Sequence, residues 1–239
     1  MENNWIQPTT GVAVAAPRTF LTRVFAYMAL AMVLSGGMAW LFAHNRSLLS
    51  LLINFETGKQ TLLGWVVLLA PIGLVLLLSA RVERMSMSAA VLTFIAYSAI
   101  TGISLCYVFL AYTATSIATT FFMAAAVFGI MAVAGYTTKV DLTRFGSIMM
   151  IGLIGVLLAS LVNLFMGSDT LGYIISIVGV LVFTGLTAYD MQKLKNMAME
   201  VPEGTELAQK MSLMGALRLY LDFINLFLLL LRLFGSRRN

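Results

Sequence analysis

Long apolar segments separated by short polar stretches run through almost the whole chain. Helices and closed barrels are the structures that satisfy every backbone group in hydrocarbon, and these runs exceed the length of a barrel strand. The pattern therefore predicts an all-α integral membrane protein with a bundle of seven transmembrane helices. The predicted spans are about 20–43, 61–80, 87–112, 116–138, 145–167, 171–190 and 213–234.

Breaks in this pattern define the connections. Residues 85–138 carry no charged side chain and are too long for one span, so the polar cluster around Thr113 predicts a turn between the third and fourth helices. Pro71 predicts a kink or a local break in the second helix. Residues 196–211, with a turn signal at Pro202-Glu203-Gly204, predict a solvated loop between the last two helices.

Composition agrees with lipid as the solvent. The 239 residues are 60% hydrophobic and 10% charged, whereas a soluble domain is about 25% charged. The first apolar run is too long for the core of a signal peptide, so we expect no cleavable leader. The net charge of +5 is spread over the segment ends, which argues against a nucleic-acid partner. The single cysteine, Cys106, lies in an apolar run and is expected to pack in the core.

The distribution of basic residues predicts the orientation. With the N-terminal segment 1–17 in the cytoplasm, the basic residues of the outer loops are only Arg46 and Lys59. Seven complete spans of the domain 18–235 would put the tail 236–239, with its two arginines, outside. The last segment therefore either crosses fully or re-enters. On the cytoplasmic side lie Arg18, Arg23, Arg81, Arg84, Lys139, Arg144, Lys193, Lys195 and Lys210.

The last two segments each carry a carboxylate, Asp190 and Asp222. An aspartate at the centre of a bilayer costs about 2.5–3.5 kcal/mol, so both are expected to face the protein interior and to mark a functional site. On the last helix Arg218, Asp222, Asn225 and Arg232 are spaced to form one polar stripe. Such a stripe turns toward other helices or toward water.

The orientation brings Asp190, Asp222 and the end of the second helix to similar depth. Two carboxylates a few ångströms apart cannot both ionise at low cost and titrate as one unit. An arginine, Arg81 or Arg84, can then latch onto one aspartate or release it to a cation, which predicts a pH-sensitive gate. Structural interpretations stay open: Asp190 as an interfacial residue, Asp222 satisfied by Arg218 within its helix, and the arginines as topology anchors.

Two stretches near the C-terminus, GLTAYD at 185–190 and YLDFINLF at 220–227, resemble the transmembrane Bax inhibitor motif family. The resemblance extends over about residues 18–235, and the short N-terminal segment without a soluble domain is typical of a bacterial member of the inner (cytoplasmic) membrane. Shorter stretches that support it lie at 79–81, 85–86, 101–104, 135–139, 141–142 and 230–235.

The resemblance implies a seven-helix bundle with the last helix at its centre and a pH-sensitive calcium leak. Asp190 and Asp222 match the family's aspartate pair, and Arg81 or Arg84 matches its arginine latch. Calcium or another cation would be held only transiently at the pair, and no resident cofactor is expected. Bacterial relatives are also associated with a membrane-bound AAA protease, so the alternative function is a non-transporting modulator of that protease.

We do not expect an enzyme. An intramembrane aspartyl protease also uses two aspartates, and Tyr189-Asp190 resembles one of its half-motifs, but Asp222 lacks the glycines of the second. Serine and zinc intramembrane proteases need a catalytic histidine, and the single histidine, His44, lies near a loop. A proton-coupled transporter would be expected to show an inverted repeat, which this sequence lacks.

Overall fold

A computed structural model describes residues 16–238, and within them seven helices are long and apolar enough to cross a membrane. The predicted all-α, seven-helix class is therefore confirmed. Residues 1–15 of the predicted N-terminal segment and residue 239 of the tail lie outside the described residues. The helices are α1 (Ala16–His44), α2 (Arg46–Leu49), α3 (Leu62–Arg81), α4 (Met87–Ala111), α5 (Ala114–Thr137), α6 (Thr143–Met166), α7 (Asp169–Glu200) and α8 (Glu206–Phe234), with a 3₁₀ turn at Val82–Arg84.

The connection between α7 and α8 differs from the prediction. The loop expected at 196–211 is wrong, because α7 continues to Glu200 and α8 begins at Glu206. Only 201–205 connect them, with Gly204 at a positive φ of 82° and the Thr205 hydroxyl capping α8. The extra turns stay helical because Leu194, Ala198 and Ala208 on them are buried.

The second span has no break at its proline. Helix α3 is continuous from Leu62 to Arg81 through Pro71, so the alternative of a local break is wrong and that of a kink stays a prediction. Proline is tolerated inside a membrane helix where neighbouring groups compensate the lost backbone hydrogen bond. The loop before α3 is closed by Thr61, whose hydroxyl donates to the carbonyl oxygen of Leu51 and accepts from the Gly64 amide.

Helix α8 occupies the centre of the bundle, in contact with α1, α4, α5 and α7. Among its buried residues are Leu217, Leu219, Tyr220 and Leu226, which lie on different sides of the helix. A helix that is buried on most sides must be surrounded by others, so the expected central position of the last helix is confirmed.

The last helix crosses the whole bundle. Near its start, Lys210 Nζ donates to the carbonyl oxygen of Glu83, which lies in the 3₁₀ turn before α4. Beyond its end, the Arg238 amide donates to the carbonyl oxygen of Ala111 over 2.9 Å, and the Thr113 amide donates to that of Ser236 over 3.2 Å. Helix α8 therefore runs the full length of α4, so it spans rather than re-enters, and the tail pairs with the α4–α5 connection.

Two glycines mark the closest helix crossings. A Cβ on Gly102 of α4 would overlap the backbone of Ser35 in α1, and a Cβ on Gly135 of α5 would overlap the backbone of Ala188 in α7. Because only glycine leaves room there, α1 packs directly on α4 and α5 on α7.

Candidate functional site

Asp190 and Asp222 meet where α7 packs antiparallel to α8. The two carboxyl groups lie within hydrogen-bonding reach of each other, and each influences the charge of the other. Asp222 is 5% exposed and Asp190 is half-buried. The predicted meeting of the two carboxylates is thus present in the fold, while their role in function stays a prediction.

The inner carboxylate is under-satisfied by the protein. Among the described residues, Asp222 Oδ2 is buried and has no hydrogen-bond donor. A buried acceptor without a partner is costly unless it takes up a proton or contacts a cation. The site is therefore suited to binding a proton or a positive ion.

Arg218 is the cationic side chain that acts on both aspartates. It stands one turn before Asp222 on α8, and its positive charge influences both carboxyls, while Lys193 influences Asp190. The open interpretation of Asp222 as a partner of Arg218 is thus compatible with the geometry, but one guanidinium serves two carboxyls. Lys193 acts in addition on Asp190, so Arg218 is the cation that the two carboxyls share.

The predicted latch residues lie elsewhere in this conformation. Arg81 ends α3, Arg84 ends the 3₁₀ turn, and both side chains are exposed. Among the described residues, the cations that act on the aspartate pair are Arg218 and Lys193 rather than these two. The latching of Arg81 or Arg84 onto the pair stays a prediction.

The polar stripe of α8 divides into separate environments. Asn225 is half-buried and its amide donates to the carbonyl oxygen of Leu221 within the helix, over 2.8 Å. Arg232 is exposed near the far end of α8, with its guanidinium against Gly172 of α7. Of the four stripe residues, only Arg218 and Asp222 therefore belong to the site.

A cavity of about 530 Å³ opens beside Arg218, between the end of α3 and the facing ends of α7 and α8. Its lining combines Arg218 and Lys210 with Glu83 and Glu206. Lys210 pairs with Glu206 over 3.0 Å. Neither aspartate lines this cavity, but Arg218, which acts on both carboxyls, does.

Sequence reasoning missed the helical part of this cavity because it assigned Glu206 and Lys210 to a loop. A signal was present: Gly204 favours a turn, Thr205 is a favourable N-cap, and Glu206 suits the first turn of a helix. It also missed a buried hydroxyl cluster in which Ser35 Oγ and Tyr220 OH lie 2.6 Å apart. This contact ties α8 to α1.

The described residues form no group of three or more His, Cys, Asp or Glu side chains that could hold a metal ion. A pair of carboxylates alone is a thin site for Ca²⁺, which prefers six to eight oxygen ligands. His44 interacts locally, stacking on Trp40 and contacting its carbonyl oxygen over 2.9 Å.

Comparison with known proteins agrees with the fold. Residues 17–239 match the family described as inhibitor of apoptosis-promoting Bax1. The chain is 43% identical over 234 residues to inner membrane protein YbhL of Escherichia coli, covering 98% of this chain and 96% of that protein. It is 44% identical over 222 residues to protein RP147 of Rickettsia prowazekii, covering 93% and 91%. The chain therefore belongs to the Bax inhibitor family of membrane proteins.

Proposed function

We propose that this protein is a pH-sensitive cation leak of the bacterial inner membrane, with calcium as the permeant ion and Asp190 and Asp222 as the gate. The observation that supports it is the contact between the two carboxyl groups inside a membrane-spanning bundle. Keeping two acidic groups together in this environment is unfavourable unless they bind something that is exchanged.

The gate would work through a shared proton. With one proton between them, the carboxyls of Asp190 and Asp222 hydrogen-bond to each other and hold α7 against α8. When the proton leaves, two negative charges face each other, and Arg218 is the nearby cation that acts on both. The added negative charge then attracts either a permeant cation or the side chain of Arg81 or Arg84. Either partner would enter the space between the helices and so change their packing at the site.

Carboxylate oxygens favour a hard cation such as calcium. The cavity beside Arg218 would let water and ions approach the pair from one end of the bundle. At the other end, the pairing of the tail with the α4–α5 connection closes the helices together. Ion passage therefore requires movement of the helices, which is consistent with a slow leak rather than an open channel.

Calcium entry into dye-loaded liposomes that contain the purified protein tests this proposal, measured from about pH 6 to pH 8, because the protons of a coupled carboxyl pair belong to the pair and not to either residue. We expect a pH-dependent flux that is lost or becomes independent of pH in Asp190→Asn and Asp222→Asn. Asp169→Asn is the matched control, since Asp169 is an exposed aspartate at the opposite end of α7. It should behave like the native protein.

Arginine variants separate the two roles assigned to cations. Arg218→Gln should shift the pH dependence of the flux over the whole pH range, because Arg218 already acts on both carboxyls. Arg81→Gln and Arg84→Gln should change the flux only at the pH values at which the pair is deprotonated and the arginine latches onto it. Folded proteins that give no flux above empty liposomes would contradict the leak, and co-purification with a membrane-bound AAA protease would then favour the modulator.

A further inference from the structure

A polar pocket lies at the same end of the bundle as the aspartate pair but on the other side of α7. Its volume is about 280 Å³, between the α5–α6 connection and the last turns of α7. Two lysines, Lys139 and Lys195, and the amides of Gln192 and Asn196 line it together with one carboxylate, Asp141. The lining therefore offers several hydrogen-bond donors and a net positive charge.

The carboxylate in this pocket is already engaged. Asp141 Oδ1 accepts hydrogen bonds from the Thr143 amide over 2.9 Å and from the Thr143 hydroxyl over 2.6 Å. These hydrogen bonds, the hydroxyl first, hold the pKa of Asp141 below its ordinary value. Asp141 is thus hydrogen-bonded to the first residue of α6, whereas the Lys139 side chain is exposed to solvent.

An apolar groove of about 250 Å³ lies next to this pocket, between α1, α5 and α7. Phe25 and Val133 form its exposed walls, 38% and 63% accessible, and Leu21 and Met191 its floor. Since these helices stand in a membrane, the groove faces lipid. A space of about 250 Å³ is too small for a second helix, which is about 10 Å across, but it can take part of an acyl chain.

Tyr136 joins the groove to the pocket. Its ring lines the groove, and Lys195 Nζ lies 5.2 Å from the centre of that ring. The same Nζ donates a hydrogen bond to the carbonyl oxygen of Tyr136 over 2.7 Å. A third cation, Arg18, precedes Phe25 by two helical turns on α1 and so lies toward the same end. An apolar slot thus ends at an aromatic ring flanked by positive charges.

We propose that the groove and the pocket together bind one anionic phospholipid, with its phosphate and headgroup at Lys139 and Lys195 and an acyl chain along Phe25 and Val133. Basic pockets between membrane helices are suited to anionic headgroups, and an aromatic ring at the interface marks the boundary between headgroup and chain. This site is separate from the aspartate pair and does not depend on the proposed leak.

Native mass spectrometry of the purified full-length protein tests the site, with phosphatidylglycerol and phosphatidylcholine of equal chain length as probes. We expect retention of one phosphatidylglycerol and a clear preference over phosphatidylcholine. In Lys139→Gln/Lys195→Gln the affinity for phosphatidylglycerol should fall about thirtyfold, from the loss of two lysines at the surface. Arg46→Gln/Lys59→Gln removes two charges from the loops at the other end and should bind as the native protein does.

Two further measurements keep the proposal falsifiable. Lys139→Gln alone leaves the Lys195–Tyr136 hydrogen bond intact, so its weaker binding cannot be attributed to a lost fold. Val133→Trp fills the groove and should displace both lipids, whereas Val162→Trp, at an exposed position on α6, should not. Equal retention of the two lipids, an unchanged preference in both lysine variants, or full displacement of the lipid by glycerol phosphate would overturn the proposal.

Discussion

Gly135 lies where α5 crosses α7, and its replacement by alanine would push the two helices apart. The added Cβ would stand 2.8 Å from both the Cα and the carbonyl carbon of Ala188, and closer still to the oxygen. Ordinary contacts of a Cβ begin at 3.4 Å, so the backbone of α7 must retreat by at least 3.4 − 2.8 = 0.6 Å. A backbone cannot swing aside as a flexible side chain does.

Overpacking of this kind destabilises a fold by about 1–3 kcal/mol. For a chain of this size, that lowers the melting temperature by about 2–12 °C. Because Ala188 precedes Asp190 by two residues, the same displacement moves the aspartate relative to α8. We therefore expect Gly135→Ala to lose stability and also to change the pH response of any ion flux.

Thermal unfolding of the purified protein in detergent, followed by intrinsic fluorescence, measures the first effect. Gly129→Ala is the matched control on the same helix, because a Cβ at Gly129 would meet nothing within 4 Å. Alanine there should hold or raise the melting temperature, since it favours a helix over glycine by about 1 kcal/mol. If the two variants melted at the same temperature, the close crossing of α5 and α7 would be refuted.

Two other predictions concern the α5–α6 connection. The Gln192 amide nitrogen donates to the Val140 carbonyl oxygen over 2.7 Å, and its oxygen accepts from the Leu142 amide over 2.8 Å. Gln192→Leu removes both hydrogen bonds and should lower the free energy of unfolding by about 2–4 kcal/mol, measured by chemical or thermal unfolding. Asn196→Leu, at an exposed position on the same helix, is the control and should leave it unchanged. Hydrogen bonds from Thr143 lower the pKa of Asp141, so its contribution to stability is present above the ordinary carboxyl pKa and lost as the pH falls through the lowered one. The melting temperature of Asp141→Asn should therefore lie below that of the native protein at about pH 7, and the difference should begin to shrink as the pH falls below about 4; a constant difference would contradict this.

Hydropathy predicted the number of spans because each apolar run matches the thickness of a bilayer. It failed at the facing ends of α7 and α8, where Lys195 and Lys210 interrupt the apolar run. Buried Leu194, Ala198 and Ser212 continue the helical spacing there, but windows of average hydropathy do not register a one-sided pattern.

The meeting of Asp190 with Asp222 followed from two consecutive antiparallel helices with polar positions at one end. The identity of the nearby cation did not follow, since depth in the membrane does not tell how far α3 stands from α8. Arg218, on the same helix as Asp222, is the cation that acts on both carboxyls. Sequence spacing indicated this contact but gave no reason to prefer it to Arg81.

The glycines show the same limit. Several glycines lie in pairs or at short spacings within the spans, but a Cβ added at Gly36, Gly37 or Gly155 would meet nothing within 4 Å, whereas one at Gly152, Gly179 or Gly185 would meet a neighbouring side chain. The tightest crossings use isolated glycines such as Gly102 and Gly135. Which glycine faces a neighbour depends on the rotation of each helix about its axis, and apolar residues surround these helices on all sides.

The pairing of the tail with the α4–α5 connection gives α8 a fixed point at one end. The Arg238 amide and the Ser236 carbonyl hold that end to Ala111 and Thr113, while a longer hydrogen bond of 3.4 Å joins Lys210, near the opposite end, to Glu83. Asp222 lies 12 residues before Phe234, about 18 Å along the helix axis from this fixed point. A tilt of about 5° about that point would carry the carboxylate about 1.6 Å, which is enough to make or break a hydrogen bond with Asp190. For the gate that we propose, a small tilt of α8 would therefore be enough to separate or join the two acids.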